Sequence, residues 1–155
     1  MRGVFATVAF CVFLAWPLRA ADPDPKLATM TTAFVLPQDP LGDDLAVARC
    51  LAEQLGTVTP IKAVLTAADA DAVFLVHATI TSEAKRRWFP RIGDVRLRVT
   101  GSADGALWWE DSDIIGMKSS TARHALDDPA CALAEVITRK FLQAMRKARG
   151  RSLAQ

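Results

Sequence analysis

The side chains that could do chemistry in this chain are few. They are Cys11, Cys50 and Cys131, His77 and His124, the acids Asp111 and Asp113, and the run Lys85-Arg86-Arg87-Trp88-Phe89-Pro90-Arg91. No spacing of His, Cys and Asp matches a metal site, and no serine-nucleophile motif or phosphate-cradling glycine loop is present, so neither metal, cofactor nor catalytic residues are expected. Cys50 and Cys131 remain once Cys11 is set aside, and an even remainder in an exported protein predicts a disulfide between them. Both fall off the apolar stripes of their helices, where two thiols could meet side by side. The alternatives are two separate thiols serving as small apolar residues, or a reactive Cys131 in the first turn of a helix. His77, in mid-strand, reads as a packed residue, and Asp111 and Asp113 as solvated groups at a strand end.

The basic and aromatic run Lys85, Arg86, Arg87, Trp88, Phe89 and Arg91, with Arg96 and Arg98 on the next strand, is the candidate contact surface. It suits an anionic partner, whether lipid headgroups, a cell-wall polymer or an acidic protein face. The other reading is a solvated loop whose Trp and Phe close one end of a sheet. Trp108 and Trp109 are adjacent and so point to opposite faces of a strand. One belongs to the core, and the other lies under a helix or on the surface as a stacking platform.

Those residues must be positioned by a small domain. Met1 to Gly3 carry a positive charge, Val4 to Trp16 are apolar apart from Thr7, and Pro17 to Ala20 break the run. This is the layout of a secretory signal peptide, and its apolar run of about 13 residues is shorter than the roughly 20 that span a bilayer. Cleavage is expected after Ala20, or after Ala21, with no integral membrane segment afterwards. Phe10 stands before Cys11 where a lipidation site carries a small residue, so no lipid anchor is expected. Removing Arg2 and Arg19 brings the 19 basic residues level with the 17 acidic ones. Bulk electrostatics therefore do not favour nucleic acid, and export removes the chain from it. The protein is expected in the periplasm or outside the cell, as leader 1–20, spacer 21–29, one domain 30–150 and a frayed tail 151–155.

Within the domain, Thr31 to Leu36 reads as a strand ended by Pro37, and Asp43 or Asp44 as the cap of a helix whose stripe is Leu45, Ala48, Leu51, Ala52 and Leu55. Val58 to Leu65 is a weak edge strand, restricted by Pro60. Ala72 to Ile80 is apolar on both faces over its first half, as a central strand would be. Val95, Leu97 and Val99 alternate with Arg96, Arg98 and Thr100, and Ala103-Asp104-Gly105 provides the tight turn back to Leu107 to Glu110. Asp128 followed by Pro129 opens a long helix with the buried stripe Ala130, Leu133, Ala134, Ile137, Phe141, Ala144 and Ala148, closed at Gly150. The fold class is α+β: a mixed or mostly antiparallel sheet of about five strands with two helices packed on it.

Ala70-Asp71-Ala72-Val73-Phe74-Leu75-Val76 with Thr79-Ile80, Gly105-Ala106-Leu107-Trp108-Trp109, and the Ala/Leu-rich terminal helix resemble segments of small periplasmic α/β domains. The family is that of the TolB amino-terminal, CsgG and LpoB type of envelope domain. The resemblance implies a protein-binding or assembly role in the cell envelope, with no active site to carry over. The competing class is a small exported ligand carrier or enzyme with a pocket between helices and sheet, in which His77 or His124 would meet a carboxylate.

Overall fold

The computed structural model describes residues 22–81, 91–116 and 127–152. Five strands and two long helices make up the domain. They are β1 (Thr32–Pro37), α1 (Asp43–Val58), β2 (Lys62–Ala63), β3 (Ala72–Ile80), β4 (Arg91–Gly101), β5 (Leu107–Gly116) and α2 (Pro129–Ser152). The leader lies outside the described residues, and among those described no helix is long and apolar enough to cross a membrane.

The sheet has the order β2-β1-β3-β4-β5 and is mixed. β1 runs parallel to both β2 and β3, because α1 carries the chain back to the start of the sheet before β3 begins. β3, β4 and β5 form an antiparallel meander. The parallel pair is pinned at its start by Asp71. Its carboxylate accepts from Thr31 N (2.7 Å), Thr32 N (3.0 Å) and Thr31 Oγ1 (3.0 Å), while its own N–H donates to Thr32 Oγ1 (2.9 Å). Those donors, the Thr31 and Thr32 amides first, hold Asp71 below the usual carboxylate range. The β4–β5 turn is tight, with Gly105 at φ +64°, a conformation that favours glycine.

Both helices cover one face of the sheet. All seven stripe residues of α2 are buried, and Phe141 meets Phe74 and Trp109 edge to face at ring separations of 5.0 and 5.7 Å. Asp128 caps α2 by accepting from Cys131 N at 3.0 Å. The helix runs through Gly150 to Ser152, two residues past its expected stop.

Four local expectations change. In α1 the buried positions are Asp44, Val47, Ala48, Leu51 and Leu55, so the stripe is rotated to include an acid and leave Leu45 half-buried. Gly42 stands at the N-cap without a side-chain cap bond. Part of the stretch read as an extended spacer is packed: Pro25–Ala28 is a 3-10 turn capped by Asp24, with Leu27 fully buried. β4 and β5 are also longer than the hairpin expected, because the pairing extends from Arg91 to Gly116.

Candidate binding surface

Alternation along the strands sends every second residue to the face opposite the helices, where no described element lies over the sheet. Phe34 and Leu36 of β1 stand beside Val73 and Leu75 of β3 as an apolar half. Farther across, His77 faces Arg96, and Arg98 faces Glu110. Glu110 is shared: its carboxylate lies 3.3 Å from Arg98 Nη2 and 3.7 Å from Arg96 Nε. Two guanidinium groups thus share one carboxylate, and Asp94, two residues before Arg96 on the same strand, adds a second acid to that face.

Lys85, Arg86, Arg87, Trp88 and Phe89 lie outside the described residues, as does His124. Arg91 is described as the first residue of β4, paired with Gly116. The basic run therefore leads directly into the strand that carries Arg96 and Arg98.

His77 is exposed, contrary to the packed residue expected, because its odd position on β3 faces away from the helices. Its Nδ1 is 3.4 Å from Asp44 Oδ2, and Asp44 is buried. Asp44 is committed elsewhere, accepting from Ala78 N at 2.6 Å and Asp39 N at 2.8 Å. None of the three clefts described in this structure is lined by His77.

Both tryptophans are buried, which removes the stacking platform considered above. A register shift between Val99 and Thr100 inserts an extra residue in β5, and a bulge of this kind re-aims a side chain. Trp109 packs on Phe141, and Lys26 Nζ lies 5.6 Å from the Trp108 ring centroid. Lys26 also pairs with Asp104 at 3.0 Å, which raises its pKa. The Ala106 amide, and then Lys26, hold Asp104 below its ordinary range. Asp111 and Asp113 are not free solvent groups at a strand end. Each is half-buried and ion-paired with Lys140 of α2, at 3.4 and 3.5 Å.

Cys50 of α1 and Cys131 of α2 are bridged, with Cα atoms 5.1 Å apart and 81 residues of separation. Gln54 reinforces the seam, donating to Cys131 O at 3.1 Å and accepting from Thr138 Oγ1 at 3.3 Å. Asp128 lies close to both sulfurs, but sulfurs bonded to each other are not thiolate ligands for a metal.

Sequence reasoning read Asp43 and Asp44 only as a helix cap and missed their reach to β3. Their place after Gly42 marks a helix start, and nothing in their spacing shows that their carboxylates reach the neighbouring strand.

No family model matches the chain, and no curated protein matches it. Solved structures do. A protein from Xanthomonas campestris of the DUF330 family superposes with a TM-score of 0.55 at 10% identity, over 80% of this chain and 88% of that one. Uncharacterized lipoprotein B from Nitrosomonas europaea gives a TM-score of 0.43 at 13% identity, covering 76% of this chain and 84% of its own. The PelC dodecamer from Paraburkholderia phytofirmans gives 0.43 at 13% identity, covering 67% and 84%. Of these three, the first shows a shared fold.

Proposed function

We propose that this is an exported accessory protein of the cell envelope that acts as a non-catalytic binding or assembly module. Its leader, residues 1–20, directs it to the periplasm or beyond. Its partner is an envelope protein with an acidic face, met by Lys85, Arg86, Arg87, Trp88, Phe89 and Arg91 together with the open face of the sheet. The observation that carries this reading is the pair Arg96 and Arg98, exposed on the strand that starts at Arg91 and sharing one carboxylate. The apolar strip beside them, over which no described element lies, supplies area for contact. The resemblance to TolB-type, CsgG-type and LpoB-type domains agrees with such a role.

The test is capture from an envelope extract by the mature protein, compared with the triple variant Arg86→Ala/Arg87→Ala/Trp88→Ala. The variant is expected to melt normally and to lose the partner, and an unchanged set of captured proteins refutes the docking role. Sedimentation with phosphatidylglycerol vesicles separates an anionic lipid surface from a protein partner.

A further inference from the structure

Besides the outer edge of the two-residue β2, the described sheet leaves three stretches of edge, and two of these are closed by the protein's own carboxylates. Past the end of β1, the edge of β3 is covered by α1: Asp44 accepts from Ala78 N at 2.6 Å and Asp43 from Ile80 N at 2.7 Å. Along the outer edge of β5, Asp111 accepts from Ser112 N at 2.7 Å and Asp113 from Ile114 N at 2.8 Å. Lys140 Nζ donates to Ser112 O at 2.7 Å. Satisfying outward amides in this way blocks pairing with another chain.

The outer edge of β1 is different. β2 pairs with it only at Thr32 and Ala33, and the outward carbonyls of Thr31 and Ala33 accept from Lys62 N (2.8 Å) and Val64 N (2.9 Å). The next outward peptide is that of Val35, where the ladder has ended, so it presents both N–H and C=O. Pro37 follows with a carbonyl alone. Beside this edge lies a cleft of about 230 Å³ between β1 and α1, walled by Leu45, Ala48, Ala52 and Leu65, and Leu65 is 94% exposed. Arg49 is the one charged residue lining it and makes no ion pair among the described residues.

We propose that the β1 edge past β2 binds an extended segment of another protein. The segment adds as a short strand on Val35, places apolar side chains in the cleft, and pairs one carboxylate with Arg49. Charge selects this occupant over a second copy of the chain. A two-fold pairing of two β1 edges joins two clefts that each hold a cation and no acid. Head-to-tail pairing with β5 meets an edge that is already closed. The cleft shares Phe34 with the open face, but its test reads Arg49 and the Val35 amide, so it stands or falls independently of the proposed docking there.

The probe is the fluorescein-labelled peptide Thr-Val-Ile-Val-Glu-Val-Thr, titrated by anisotropy into the mature, disulfide-bonded protein, with the same peptide carrying Lys in place of Glu as comparison. The Glu peptide is expected to bind more tightly by about fivefold, the swing between attraction and repulsion of an exposed pair. Arg49→Glu reverses the preference, its fold checked by thermal melting. Hydrogen exchange at the Val35 amide slows when the Glu peptide is bound. Equal binding of the two peptides, binding of neither, or an unchanged Val35 amide overturns the proposal. So does concentration-dependent dimerisation that protects Val35 without peptide.

Discussion

Replacing Asp44 with Ala tests whether the two carboxylates at the start of α1 hold the sheet edge. Asp44 is 3% exposed, and its oxygens accept from a buried amide, Ala78 N, and from Asp39 N in an exposed loop. A hydrogen bond to a charged acceptor contributes about 1.5 to 3 kcal/mol net. The Ala78 amide, left buried without a partner, should cost about 2 kcal/mol, whereas water can reach Asp39 and limit that loss to about 1 kcal/mol. The total for Asp44→Ala is therefore about 3 kcal/mol. Asp44→Asn keeps one acceptor for Ala78 but turns an NH₂ towards the Asp39 N–H, and should lose about 1 to 1.5 kcal/mol. His77→Ala should lose under about 0.5 kcal/mol, since its contact is 3.4 Å long and half exposed. Urea unfolding followed by far-UV circular dichroism, with the disulfide intact, measures all three. Amide exchange should be accelerated first at Ala78 and Asp39. Stability within about 0.5 kcal/mol of wild type for Asp44→Ala would refute the edge-closing role.

Two other contacts, the disulfide and the Asp71 carboxylate, carry outcomes of their own. With a separation of 81 residues, the Cys50–Cys131 bridge should contribute roughly 4 to 5 kcal/mol in the chain-entropy model. The double variant Cys50→Ser/Cys131→Ser should unfold at correspondingly lower urea, and non-reducing mass measurement of the mature wild type should show the loss of two hydrogens. The folded Asp71 pKa lies below its ordinary value of 3.8. Its stabilisation is therefore fully present above that value and is lost as pH falls through the lower folded value. Asp71→Asn should be less stable than wild type at neutral pH, with the gap narrowing under acid, and a constant gap from pH 7 to pH 2 would contradict this sign.

Period-2 and period-3.6 patterns made most of the fold legible. The β4 alternation, the α2 stripe and the Asp128-Pro129 start all depend on neighbours along the chain, which a sequence displays directly. The misses share a physical cause. The buried Asp44 and the exposed His77 depend on which face of an element meets which other element, as does the choice, left open by the sequence, between a covered and an exposed second tryptophan. That is fixed by the parallel return of α1 and by a single inserted residue in β5, and neither leaves a local signature. The half-packed 3-10 turn at Pro25–Ala28 was obscured in the same way, since polar and proline-rich composition masks the single buried Leu27. For the candidate surface, the arginines of β4 were readable, but the sharing of Glu110 between them required the register.

Because β3 bonds to β1 on one side and β4 on the other, it joins two halves of unequal kinship along the chain. The meander from β3 to β5 pairs strands close in sequence, while the β1 side needs a whole helix in between, so the meander is expected to assemble earlier. Until α1 docks, the amides of Ala78 and Ile80 are an open invitation to a neighbouring molecule. Asp43 and Asp44 then serve a second purpose, as the latch that ends the chain's most vulnerable moment against misassembly.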